Sequence, residues 1–518
     1  VGELVSYEQV KAERARRSLA EFVKQAWPII EPSTPLVWNW HLDVICDHVQ
    51  ALVQGRLVRD GRILRNLIIN VPPGSMKSTI LSVCVPAWIW IQPPGEDNDL
   101  GPGWRGLFAS GNGEVAIRDS MKCRDILDSA WYRRVFAPSW AFDKAQNAKG
   151  HYKNSKTGFR RAMSAGSRIT GSRAHAILVD DPNDAAEAYS KTARDTIISW
   201  WDSAAANRLA NLSTGVRCII QQRLHEEDLT GHILATEPEN WEVLIIREEY
   251  EFPKPTDPDF RPTCLGWTDP RQVEKELFFP ARFPADVVAA ERKRLGSAGF
   301  AGQHQQRPVP AEGQIFKHGF VRTFDCAAVL KRMGEVDPAT HQRFKVYKRI
   351  ILTADTAFKE KEENDNSVVL AIGERAEGWD LLDRWKDKAG YPELKLQVKA
   401  MNAKWRPQAF LVEDKASGQS LLQELRLETA IPLVAITVDR DKVSRAHAVV
   451  PTWEAGNVFV DPSLPWVADF LENLYGFPKM AHDDDVDAFT QGMNWLHHGF
   501  SGQGVVDFYR QMAEQVGT

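Results

Sequence analysis

At 518 residues the chain exceeds one ordinary core of roughly 150 residues, so two large domains or three small ones are expected, and a peptide factor or single binding module is excluded. Apolar residues make up 43% and charged residues 26%, the balance of a soluble globular protein rather than a disordered or fibrous one. The formal net charge of −5 gives no overall positive field, so any hold on nucleic acid must come from local basic surfaces.

The first residues, VGELVSYEQVKAERARRSLAEF, are charged and helical in pattern and lack the apolar run of a secretory signal. Next, WNWHLDVICDHV offers Trp38, Trp40 and His41 to stack on or hydrogen-bond an adenine, with core packing the alternative for either tryptophan. The most apolar stretch, Ile80 to Ile91, is interrupted by Ser82 and Pro86 and reaches about half the length that spans a bilayer, so a buried helix and no membrane association are expected. Six cysteines (Cys46, Cys84, Cys123, Cys218, Cys264, Cys326) show no CxxC or Cys/His pairing, which points to a reducing cytoplasm rather than to a disulfide framework or structural zinc.

Between 62 and 220, strand-like runs apolar at every position (NLIINV, RGLFAS, AILVDD, VRCIIQQ) alternate with helical stretches, as parallel strands covered on both faces require. NLIINVPPGSMKST sets the loop Gly74, Ser75, Met76, Lys77, Ser78 and Thr79 between such a strand and a helical run. Backbone N–H groups of a turn at a helix N-terminus face phosphate oxygens, a Lys reaches the β/γ-phosphates, and a Ser hydroxyl ligates Mg²⁺. The glycines of G-x-x-x-x-G-K-[ST] would fall at Val71 and Met76, so the match is imperfect, and a plain strand-to-helix turn is the alternative. AILVDDP supplies the acids such a site needs: Asp180 for the coordination sphere of Mg²⁺, and Asp181 to orient or deprotonate the attacking water, or else to cap a helix. Gln221, Gln222 and Arg223 end the next strand and are candidates for sensing a γ-phosphate. Arg118, Arg124, Arg168, Arg173 and Arg223 are candidates for neutralising transition-state charge, each with an ordinary solvated or salt-bridged role as the alternative.

Five prolines between 253 and 270 mark a linker or irregular loop. A second α/β block begins near Tyr347, with three strand-like runs (RIILTAD, VVLAIG, DLLDRW) before its first helix, hence antiparallel hairpins and then a crossover. Asp355 ends RIILTAD, Glu413 ends AFLVED, and Asp483, Asp484, Asp485 and Asp487 open the last helix, Asp484 and Asp487 on one face. Four converging carboxylates repel unless divalent cations neutralise them, and two Mg²⁺ about 4 Å apart activate water and stabilise a leaving oxygen in phosphodiester cleavage. The bland alternative is that these acids favour a helix N-terminus.

The order of these segments resembles the large terminase subunit of tailed bacteriophages, over WNWHLDVICDHV, VPPGSMKST, SRITGSRAHAILVDDPND, QQRLHEEDLTGHI, FPARFPADVVAAERKRLGSAGFAGQHQQRPVPAEGQIF, LTADTAFK, LVEDKASGQSLLQEL, DKVSRA and HDDDVDAF. The resemblance implies an α/β chain: an N-terminal ASCE-type P-loop ATPase domain with a helical extension (1–250), a connecting segment (251–345), a C-terminal ribonuclease H-like nuclease domain (346–500) and a tail (501–518). It implies ATP-driven translocation of double-stranded viral DNA into a procapsid and cutting of concatemeric DNA. The cofactors implied are ATP and Mg²⁺, with Mn²⁺ possible at the nuclease site. Double-stranded DNA, the portal protein, the small terminase subunit and a homo-oligomeric ring on the capsid are the implied partners, in the host cytoplasm and transiently on the procapsid. Carried over by motif position, Lys77 and Ser78 match the phosphate-binding pair, Asp180 and Asp181 the Mg²⁺ and catalytic acids, and Asp355, Glu413 and Asp484 the nuclease metal ligands, with Asp487 a fourth. Asp181 stands where many P-loop ATPases have Glu, and Gln221 where a Thr or Ser often begins the coupling motif.

Grip on a duplex should be mostly to phosphates, and Lys415, Lys442 and Arg445 are the candidates in the second block. Two rival functions remain open: a DNA-dependent ATPase or helicase with a resolvase-like nuclease domain, and a non-hydrolysing assembly or docking protein.

Overall fold

The computed structural model describes the chain except residues 1–5, 94–97, 168–170, 254–260, 309–314, 337–340, 342, 357–365, 389, 415, 438–440, 480–482 and 498–518, and except the side chains of 204, 206, 416–418 and 420. Arg168, Lys415 and the tail 501–518 therefore lie outside the described residues. The chain divides into two compact units, Val1–Pro310 and Ala311–Thr518.

In the first unit one sheet is built from β1 (Asn66–Asn70), β2 (Arg105–Ser110), β3 (Phe142–Ala148), β4 (His151–Asn154), β5 (Phe159–Ser164), β6 (Ala176–Asp180), β7 (Val216–Gln221) and β8 (Trp241–Ile245). Their order across the sheet is β8-β1-β7-β6-β2-β5-β4-β3. Strands β8 to β5 in that order run parallel; β4 and β3 are antiparallel additions. Every residue of β1 and β6 is buried, because both faces of the sheet are covered. Leu67, Ile69, Leu178 and Ile220 point into one apolar cluster, and their neighbours Ile68, Val179 and Ile219 into another. Side chains of this kind each contribute about 1.5–3 kcal/mol when fully buried, so a run with no polar face is stable only in the middle of such a sandwich. The apolar stretch after β1 is buried as expected, as a π-helical segment Thr79–Cys84 followed by an α-helix Val85–Ile89. Helices Tyr7–Arg17 and Leu19–Ile30 precede the sheet, their first turns capped by the hydroxyls of Ser6 and Ser18.

The second unit holds a seven-stranded sheet: β9 (Arg322–Thr323), β10 (Arg349–Asp355), β11 (Ser367–Arg375), β12 (Gly378–Asp387), β13 (Ala409–Glu413), β14 (Leu433–Ile436) and β15 (Val458–Val460). The order is β9-β15-β12-β11-β10-β13-β14. As the sequence pattern predicts, β10, β11 and β12 form antiparallel hairpins, and β13 then returns parallel to β10 after the helix Tyr391–Trp405. Alternate residues again feed two clusters, with Ile351, Leu370 and Leu411 on one face and Leu352, Ala371 and Phe410 on the other. The helix Asp484–His497 lies close on β10 and β11: a Cβ at Gly492 would meet Ile372 Cδ1 at 2.8 Å and Thr353 Cγ2 at 3.0 Å. Residues 251–310 fall in the first unit, including the long helix Ala285–Gln303, and residues 311–345 in the second. None of the six cysteines is in a disulfide, and no described helix is long and apolar enough to cross a membrane.

Candidate functional site

Strand β1 ends inside the sheet, and the chain turns over Val71–Met76 into the helical run at Lys77. The turn uses left-handed backbone at Gly74 (φ 75°) and at Met76 (φ 59°). Met76 occupies the position where the P-loop pattern has its second glycine, so the backbone shape of that glycine is retained by a residue for which it costs about 1–2 kcal/mol. At Gly74 a Cβ would lie 2.5 Å from Phe283 Cζ, so only glycine fits beneath that ring.

Across the sheet, β6 brings Asp180 and Asp181 to the same end. Lys77 Nζ, although nearly buried, reaches Asp181 Oδ1 at 2.8 Å. The same oxygen accepts the backbone N–H of Gln222 at 3.0 Å. Asp181 is itself left-handed (φ 41°), while its N–H donates to Ile220 O and its carbonyl accepts from Gly111 N–H, each at 2.9 Å, so hydrogen bonds to β7 and to the end of β2 hold the strained residue. Asp180 is buried and accepts a hydrogen bond from the Ser78 hydroxyl, yet its Oδ1 has no hydrogen-bond partner among the described residues. Burial first, then the neighbouring Asp181 charge, push its carboxyl up to about 7, against the opposing pull of Lys77 and Ser78. A buried carboxylate with an unpartnered oxygen beside a hydroxyl suits a hard divalent cation.

This arrangement opens into a cleft of about 890 Å³, lined by Pro73, Gly74, Met76, Lys77, Ser78, Thr79, Arg118, Asp181, Ala281 and Arg282, and also by Trp27, Glu31, Thr34, Pro35 and Val37. Of the sequence-predicted arginines only Arg118 is among the described residues that line it. Arg223 is instead clamped on Asp228 at 2.9 Å and on the carbonyls of His225 and Glu226, Arg124 lies over the Phe142 ring, and Arg173 bonds the Leu209 carbonyl. Trp38, Trp40 and His41 do not line the cleft either. Trp38 donates to Asp43, Trp40 stacks on Trp267, and His41 is wholly buried against Phe278 and Phe279. Burial above all, and then the charges of Arg271 and Arg282, push the His41 imidazole down to about 3; it faces the Ser75 backbone and so supports the loop from behind as a neutral ring. Gln221 is buried with neither side-chain amide atom hydrogen-bonded among the described residues. Arg282 is not among the arginines singled out in the sequence, although it lies in the segment FPARFPAD; that it lines the same cleft as Lys77 is visible only once Phe283 is seen to close over Gly74.

In the second unit the register Ala354↔Val412 places Asp355 beside Glu413 at the ends of adjacent parallel strands. The last helix brings Asp484 and Asp487, both buried, to that sheet end. Burial, followed by the charges of Asp487, Asp484 and Glu413, raises the Asp355 carboxyl to about 8, with Lys442 pulling the other way. Asp487 is held by Arg445 and by Lys442 Nζ at 2.7 Å, and the same ammonium meets Asp483 at 2.7 Å. Thus Lys442 and Arg445 stand at the carboxylates themselves. Asp485 points away and is wholly engaged by Arg384, Lys386 (2.7 Å) and Asn473. Among the described residues no three Asp, Glu, His or Cys side chains form a closed metal cage as they stand. The donor set nonetheless has the chemistry of a hard-cation site: oxygen ligands only, with mutual repulsion that a cation would relieve. Sequence reasoning missed Gln491, whose Nε2 donates to Thr353 Oγ1 at 3.0 Å and to Ala354 O at 3.3 Å, fastening the acid-bearing helix to β10 directly behind Asp355.

No curated protein matches the chain. Residues 352–496 match the family model of the terminase RNaseH-like domain. This segment is a terminase RNaseH-like domain. The match spans β10 from its second half through the last helix, and so contains Asp355, Glu413, Asp484 and Asp487. Over both units the chain has the fold of a large terminase. It is similar to the large terminase of a thermophilic bacteriophage in complex with ADP, with a TM-score of 0.51 at 11% identity over 87% of this chain and 98% of that one. Another crystal form of the same thermophilic-phage protein gives a TM-score of 0.50 at 11% identity over 86% and 97%. The HK97 bacteriophage large terminase aligns over 86% of this chain and 90% of its own at 10% identity, with a TM-score of 0.36.

Proposed function

We propose that this chain is the large subunit of a phage terminase, which uses ATP to move double-stranded viral DNA into a procapsid and cuts concatemeric DNA with a divalent-metal-dependent endonuclease. The observation that carries this reading is a terminase RNaseH-like domain on the same chain as a cleft in which a P-loop lysine meets the second acid of a strand end. The thermophilic-phage large terminase, of the same fold, was crystallised with ADP, which supports a nucleotide in the corresponding cleft.

In the first unit, the backbone of 74–79 and Lys77 hold the phosphates, Ser78 and Asp180 hold Mg²⁺, and Asp181 orients the attacking water and takes its proton. Bound Mg²⁺ supplies charge neutralisation on the β- and γ-phosphates. Lys77 must leave Asp181 to reach a phosphate, which frees that carboxylate to act as a base. Arg118 and Arg282 are the cations at the cleft that can meet charge developing on the γ-phosphoryl group. In the RNaseH-like domain, Asp355, Glu413 and Asp484 would hold Mg²⁺ or Mn²⁺, with Asp487 as a fourth ligand, and the chemistry such a metal would supply there is activation of water for phosphodiester cleavage. The partners are duplex DNA, the portal protein, the small terminase subunit and further copies of the chain in a ring on the procapsid, in the host cytoplasm. A motor on one duplex favours such closed head-to-tail assembly.

The test is ATP hydrolysis and DNA cutting by the purified chain. Lys77→Ala should lower ATP turnover at least a hundredfold and leave cutting intact, whereas Asp355→Ala or Glu413→Ala should abolish cutting and leave ATP turnover within about twofold. A wild type inert toward ATP with DNA, portal and small subunit all present would overturn the motor. Unimpaired cutting by both acid variants would overturn the nuclease assignment.

A further inference from the structure

The edge hairpin of the first sheet takes no part in either candidate site, yet it concentrates positive charge in a chain whose net charge is −5. Strands β3, β4 and β5 and their turns carry Lys144, Lys149, Lys153 and Lys156. Three of these lysines are exposed and Lys153 is half-buried. None is paired with a carboxylate among the described residues. The hairpin's single acid, Asp143, turns back to accept the Ala145 N–H at 2.8 Å.

The register gives this charge a direction. His151 lies opposite Arg161 and Lys153 opposite Phe159, so His151, Lys153 and Arg161 share one face with the buried Phe159. Tyr152 and Arg160, on the other, are buried; Arg160 donates to Ser82 O at 2.9 Å and its guanidinium lies 4.2 Å from the Phe108 ring. The half-buried side chains of this face make it electropositive: after burial, the charges of Arg161 and Lys153 push the His151 imidazole below its usual range. Lys149 and Lys156 sit in the turns at either end of β4, and a strand rise of about 3.3 Å per residue sets those turns on the order of 15–20 Å apart, wider than either groove of B-DNA. The ring side chains are withheld. Tyr152 and Phe159 are buried, and Phe142 lies under the guanidinium groups of Arg124 and Arg133.

We propose that this hairpin is a duplex-DNA surface on which Lys144, Lys149, Lys153 and Lys156 hold backbone phosphates. Point charges without exposed rings to stack on bases suit a double helix gripped without regard to sequence, rather than a single strand. The inference rests on the proposed function, and assigns to the first unit a grip of its own.

The experiment is anisotropy of a labelled duplex of about 30 base pairs with the full chain, titrated over a range of salt. Each lost phosphate contact lowers the slope of log K against log salt by about 0.9. The variant K144Q/K149Q/K153Q/K156Q should bind at least tenfold more weakly at about 0.1 M salt with a slope smaller by about 2–4, and should hydrolyse ATP without DNA at the wild-type rate. K149Q/K156Q, altered only in turns, should fold normally and lose about 1–2 from the slope. Wild-type affinity and slope in both variants would overturn the hairpin assignment and leave the terminase reading standing, as would lysines that serve only to keep the sheet edge from pairing. A wild type that binds no duplex, with or without ATP, would overturn both.

Discussion

Asp355 is the residue whose environment most constrains the chemistry at the second site. Its carboxyl is raised to about 8 by burial and by three neighbouring acids, so below that value it keeps its proton in the folded chain, whereas an unfolded Asp ionises near 3.8. A metal ion must displace that proton. Mn²⁺ should therefore bind more tightly as pH rises from about 6 to 8 and level off above, with proton release visible in calorimetry as a dependence of heat on buffer. Asp355→Asn should remove most of this pH dependence; an unchanged profile would show that Asp355 is not the group displaced. The same shift makes metal-free protein less stable as pH climbs from about 4 to 8, because the unfolded chain gives up the proton first. At the first site the decisive residue is Gly74. Gly74→Ala forces a methyl against Phe283 and demands left-handed backbone from alanine, which should cost on the order of 2–4 kcal/mol in denaturant unfolding and weaken nucleotide binding.

Elements differ in how plainly they are written. The parallel strands were legible because burial on both faces leaves no polar position, and the acids stood out because they end those strands. The hairpin β3–β5 was not, since an edge strand such as FDKAQNA, with no fully buried residue, has no alternation to read. For Trp38 and Trp40 the core-packing alternative holds, and His41 packs behind the loop, because sequence places these residues near the loop but not on which side of it. Arg282 and Phe283 reach the loop from more than two hundred residues away, a proximity that no local pattern encodes. Gln491 did leave a signal. It follows Asp484 and Asp487 at helical spacing, so a polar residue recurs on the face that meets the sheet. Gln491→Leu should cost about 1–3 kcal/mol by stranding buried partners on β10, and should slow cleavage more than it weakens Mn²⁺ binding, as expected of a residue that positions the helix. Equal loss of both would assign it to the metal shell instead.

At the scale of the molecule, each unit has its own apolar clusters, and among the described residues no member of one unit's clusters comes from the other. Calorimetric unfolding of the intact chain should accordingly resolve into two transitions. Mg²⁺ with ADP should raise the first unit's transition alone and Mn²⁺ the second's, each by several degrees at saturating ligand. A single transition that both ligands raise together would show that the units unfold as one. One consequence of having two self-sufficient cores on one polypeptide concerns numbers rather than shape. Translation delivers both in strict one-to-one proportion, so any assembly recruited through one half arrives with an equal complement of the other, and a cell cannot tune their dosage separately without severing the chain.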